Sequence, residues 1–141
     1  MEILKGILYS DLGSSFNNIV FLIFRTLLAI QLFRVHGLQK FRLMESHKEI
    51  IPNPLGLPYK LNALIAAFSE LVVPVLIILG LGTRLAVLPT IAMTAIGYFV
   101  IHRKDSLEVR DIPYMYTISL LLILALGAGK YSLDYYLLNL L

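Results

Sequence analysis

Apolar positions along this chain gather into four runs, 19–36, 62–81, 85–101 and 112–127, separated by two short polar breaks and one long one. At about 1.5 Å of rise per residue, helices of this length cross the hydrocarbon core of a bilayer. Two flanking stretches, residues 1–9 and 132–141, place leucines, isoleucines and tyrosines at helical spacing but are too short to span, which predicts helices lying at the interface. Residues 1–9 also lack the basic start, unbroken apolar core and small-residue site of a cleavable signal. Between them and the first span, Asp11, Gly13, Ser14 and Ser15 predict a turn, with a serine or Asn17 capping the first long helix. Gly80-Leu81-Gly82-Thr83 leaves room only for a tight antiparallel turn, Pro113 suits the first turn of the fourth span, and Gly127-Ala128-Gly129 ends it. Residues 37–61 contain Pro52, Pro54, Gly56 and Pro58 and form a loop unusually long for a compact bundle. The expected fold is all-α: a single-domain transmembrane four-helix bundle with short interfacial segments at both termini.

Composition agrees with a membrane chain. Of 141 residues, 58% are hydrophobic and 15% charged. The absence of cysteine removes thiolate nucleophiles, disulfide exchange, cysteine-ligated zinc and iron–sulfur clusters from this chain's own chemistry. The net charge of +3 comes without any nucleic-acid motif. Its distribution informs topology instead. Of the 12 lysines and arginines, Lys5, Arg84 and Lys130 fall on the side of the termini, whereas Arg34, Lys40, Arg42, Lys48, Lys60, Arg103, Lys104 and Arg110 fall on the side of the two larger loops. Positive residues favour the cytoplasm, so the loops are expected there and both termini outside.

One ionisable residue lies deep in a span. Glu70, entering from the loop side, sits roughly 12 Å in at 1.5 Å per residue. A carboxylate at that depth costs at least ~2.5 kcal/mol on insertion scales and must face protein or water. Helical side chains lean toward their own N-terminus, so Glu70 leans toward the loops while His36 and His102, on antiparallel helices, lean down toward it. Tyr98 shares a face with Thr94 and His102 by fourfold spacing. These residues predict a proton-exchange cluster of Glu70, His36 and His102, with Arg25, Lys40 and Tyr98 as candidate substrate-binding groups. Arg25 leans toward the termini, a poorer geometry for a direct pair with Glu70. Pro74 removes the hydrogen bond that the Glu70 carbonyl would accept and predicts a kink, while Ala63, Ala66 and Ala67 permit close helix approach. Tyr114, Tyr116 and Thr117 enter at the same depth, in an aromatic belt or in the site. Two histidines without supporting ligands do not make a metal or haem site.

The order Arg25, Val35-His36-Gly37-Leu38-Gln39-Lys40, Gly56-Leu57-Pro58, Glu70, Leu79-Gly80-Leu81-Gly82-Thr83-Arg84, His102 and Gly129-Lys130-Tyr131-Ser132-Leu133-Asp134 resembles the DoxX family over nearly the whole chain. The resemblance implies a small four-helix protein of the bacterial inner membrane, related to the membrane part of a thiosulfate:quinone oxidoreductase and tied to quinone or thiol stress and to membrane complexes. This chain has no intrinsic cofactor motif, so a quinone and a partner oxidoreductase subunit are the cofactor and partner that the resemblance suggests. Three functions are expected on these grounds: a quinone- or redox-associated subunit, a non-enzymatic scaffold or assembly component, and a small-solute carrier that with four spans requires a homo-oligomer.

Overall fold

The computed structural model describes residues 2–38 and 51–140. Among them there are helices and no strands, and four helices are long and apolar enough to cross a membrane. We number the helices α1 (Glu2–Leu8), α2 (Ser15–Gly37), α3 (Tyr59–Leu79), α4 (Thr83–Ile101), α5 (Leu107–Leu126) and α6 (Leu133–Leu140). The spans α2 to α5 form an antiparallel bundle in which α2 packs on α3, α3 on α4 and α4 on α5.

Local chemistry sets the ends. Ser14 caps α2, its hydroxyl accepting from the Asn17 N–H at 3.1 Å, which satisfies one of the donors that a helix start leaves unpaired. The α3–α4 turn has Gly80 and Gly82 at φ +68° and +55°, left-handed values that a side chain makes costly. The fourth span begins at Leu107, earlier than its apolar run, with Ser106 at the N-cap position and Glu108 in the first turn, and continues through Pro113. Pro113 therefore lies inside α5, not in its first turn.

The core is small, since most apolar side chains on such helices face outward: Phe21 and Ala29 of α2, Val73 and Ile77 of α3, Val87 of α4, and Leu120 and Ile123 of α5. In a bilayer an outward leucine is already in an apolar medium, so hydrogen bonds and close packing hold the helices together.

Those hydrogen bonds concentrate at the end of the bundle that carries the termini. The N–H groups of Gly82 and Thr83 donate to the two carboxylate oxygens of buried Asp134, at 2.7 and 3.2 Å. The Asp134 N–H in turn donates to the Gly80 carbonyl at 2.9 Å, so the start of α6 clasps the α3–α4 turn. Arg84 donates to the carbonyls of Gly6, Ile7 and Tyr9 and to Leu124 on α5. Asn18 accepts from Lys130 N–H at 2.8 Å and donates to Asp11. These bonds tie the ends of the spans to the terminal segments, and an open cleft of about 480 Å³ remains between α1 and α6 beside Lys5, Tyr9 and Asn139.

Candidate functional site

The opposite, loop-side half is hollow. One cavity of about 410 Å³ has His36, Glu70, His102 and Tyr116 on its wall, with Thr90 and Thr94 between them. A second, of about 270 Å³, lies between α3 and α4 under residues 51–57. The two share Pro52, Glu70 and Met93. Their sizes fall in or near the range of small-molecule sites, and both have mostly apolar walls with few polar groups.

Three departures from α geometry place these residues. The loop-side parts of α2, α3 and α4 each contain a π-turn, Phe33–Gly37, Phe68–Val72 and Gly97–Ile101. His36 is in the first, Glu70 in the second, and His102 caps the third. A π-turn closes i→i+5 bonds and so takes in an extra residue, which rotates the remainder of the helix about its axis; such turns are rare and frequent at functional sites. In α3 the cause is legible. Pro74 has no N–H, and the Val73 N–H reaches back to Phe68. The Ser69 carbonyl takes a hydrogen bond from the Thr90 hydroxyl of α4 at 3.3 Å. The Glu70 carbonyl lies against Gly37 of α2 so closely that a Cβ there would come within 2.6 Å of it. Gly37 thus lets α2 and α3 meet at the level where their polar residues enter the chamber.

His36 and Tyr116 bring α2 and α5 together, their rings edge-on with centroids 5.6 Å apart. Behind them the Thr94 and Thr117 hydroxyls lie 2.8 Å apart, with the Ile91 and Pro113 carbonyls as further acceptors. At the mouth, His102 Nδ1 is 2.7 Å from Asp105 Oδ2, with both side chains partly exposed.

The structure brings Glu70, His36 and His102 to one cavity wall. It takes Arg25 and Tyr98 elsewhere. Arg25, 1% exposed, donates to the carbonyls of Ile77, Ile78 and Tyr131 in the terminal half. It is a structural tie between α2, the end of α3 and the segment before α6. Tyr98 packs on Phe99 and Tyr114, with the Arg110 guanidinium 4.3 Å above its ring. The π-turn that begins at Gly97 breaks the fourfold stripe, so Thr94 and His102 line the chamber without Tyr98. Lys40 lies outside the described residues. Met93, Thr90 and Pro52 are chamber residues for which the sequence carried no distinguishing signal, whereas Tyr116 stands at helical spacing after Pro113 and Val109, a weak signal of a shared face.

Fold and site together define a four-span helical membrane protein with a mostly apolar chamber, carrying a few polar residues, in one half of its bundle. The chain belongs to the DoxX family, which it matches over residues 20–103. It is also similar to an uncharacterized protein of Haemophilus influenzae, 35% identical over 121 residues that cover 80% of each chain. No solved structure matches it.

Proposed function

We propose that this DoxX protein binds a quinone-type molecule in its loop-side chamber and works as a quinone- or redox-associated subunit of an assembly in the bacterial inner membrane. The observation that supports this reading most is the wall shared by Glu70, His36 and His102 in an otherwise apolar cavity. The donor set fits such a ring: imidazole and phenol groups from His36 and Tyr116 suit a carbonyl or hydroxyl edge, and the apolar walls suit its face. A bound quinone supplies electron acceptance coupled to proton uptake, and this chain supplies the protons. Glu70 and His36 are groups able to give and take a proton inside the chamber. His102, paired with exposed Asp105, stands where the chamber meets water and can exchange protons with the loop side. Electrons have to come from a partner, since the chain has no cysteine or cofactor motif of its own.

The test is binding of a short-chain benzoquinone and of its quinol to the purified protein in detergent, repeated with Glu70→Gln. A quinone carbonyl and a carboxylate both only accept, whereas a quinol hydroxyl donates to Glu70, so losing that hydrogen bond to a charged group predicts quinol affinity lower by about tenfold or more in the variant. Wild-type protein that binds neither form, or a variant that binds the quinol equally well, overturns the proposal. A variant that loses stability and partner recovery without any change in binding supports the scaffold reading instead.

A further inference from the structure

The smaller cavity adds a feature that proton exchange does not need. It begins at Glu70 and Met93, where it adjoins the His36–Tyr116 chamber, and runs between α3 and α4 toward the outer face of the bundle. Small side chains hollow it: Ala66 on one side, Pro89 and Ala92 on the other, with Ile65 and Ile96 as walls. Ala92 and Ile101 are exposed at its edge, on helices whose outer surface is apolar. Its roof is a braced loop. The Asn53 side chain donates to the Leu57 carbonyl at 2.6 Å and accepts from the Leu57 N–H at 2.9 Å, and Asn62 of α3 donates to the Pro52 carbonyl at 3.1 Å. Polar groups are confined to the inner end and to Asn62.

We propose that the two cavities form one bipartite site for a single amphipathic lipid-soluble ligand. A compact polar ring sits in the His36–Tyr116 lobe, and its hydrocarbon tail passes the Glu70–Met93 neck and leaves between α3 and α4 toward lipid. The inference rests on the quinone reading for the chemistry of the head and extends it to the tail and the route. A tail leaving the bilayer for this groove exchanges one apolar medium for another, so the groove contributes little driving force. Its role is steric: it lets a tailed molecule seat its head without expelling the tail into the polar lobe. Wild-type protein should therefore hold tailed and tailless rings with similar affinity once each is expressed per membrane volume.

Two benzoquinones with the same ring, one without a side chain and one with a ten-carbon alkyl chain, are titrated against the full chain in nanodiscs. Ala92→Trp fills the groove from its lipid-facing edge. It should weaken the tailed probe by about tenfold or more, the scale on which overpacking acts, and leave the tailless probe within about twofold, a result that also shows the variant is folded. Equal effects on both probes, or none on either, overturn the bipartite site while leaving the quinone reading standing. Wild-type protein that binds neither probe overturns both. A tailed probe with a photoreactive group at its tail end should label α3 or α4 around Ala66, Ala92 and Ile96 in the wild-type protein. Labelling confined to α2 or α5 also overturns the inference.

Discussion

Gly37 is the residue on which the chamber's geometry depends most directly. The Glu70 carbonyl oxygen lies 2.6 Å from the place a Cβ would take, and the Phe33 and Leu71 side chains lie 3.0 and 3.3 Å from that place. Because the obstructing atom is backbone, the added methyl must push α2 and α3 apart. Gly37→Ala is expected to cost about 1–3 kcal/mol, as overpacking does elsewhere, and, on the proposed function, to weaken binding in the chamber by displacing His36. Gly6→Ala, which meets nothing within 4 Å, serves as the control and should leave the unfolding temperature in detergent unchanged. Equal unfolding temperatures for both variants would show that the contact is not tight. Glu70 and His36 were readable in the sequence because an acid or an imidazole in an apolar run has to be explained by something. Gly37 was readable only as a helix-end glycine, since its partner lies on another helix.

At the scale of elements, two kinds of helix end are at work. On the loop side, π-turns in α2, α3 and α4 carry or adjoin the polar residues. On the terminal side, α6 functions as a cap supplied from outside the helix it caps: Asp134 accepts from Gly82 and Thr83 at the start of α4, where a carboxylate also meets the positive end of the helix dipole. Asp134→Ala leaves the Gly82 and Thr83 donors unmet. The expected loss is about 2–3 kcal/mol, the range for hydrogen bonds to a charged group, read as a lower denaturation midpoint in mixed micelles and faster proteolysis after Gly129. Asp134→Asn keeps one acceptor oxygen and should lose less. An Ala variant as stable as the wild type would remove α6 from the fold's essential parts. Asp134 carried no signal beyond its place in the family resemblance, because its role requires the chain to return over about 50 residues to the α3–α4 turn.

The whole molecule is asymmetric along its axis: the hydrogen bonds that tie its segments together concentrate at the terminal end, and the cavities between its four spans lie at the loop end. Orientation is affected as well. Arg84, one of the three basic residues on the terminal side, is engaged by carbonyls of α1 and α5, so Lys5 and Lys130 are the exposed cations left there among the described residues. Alkaline phosphatase fused to the C-terminus is expected to be active, and a green fluorescent fusion there dark, with the chamber mouth and the His102–Asp105 pair facing the cytoplasm. The opposite pattern would reverse the side from which protons reach the chamber.

Composition and period were enough to establish four spans, helices at both ends, the α3–α4 turn, and an acid that could not face lipid. All of these rest on local chemistry, in which a residue's preference depends on the medium around its own helix. Direction was settled only by the packing of the helices against one another. Arg25 and Tyr98 share periodicity with the candidate site yet lead elsewhere, one to backbone carbonyls at the terminal end and the other to an aromatic group with Arg110. The π-turns explain Tyr98: one extra residue in a turn shifts the face presented beyond it. That shift depends on prolines, carbonyls and a glycine meeting across helices, and no single helix contains them.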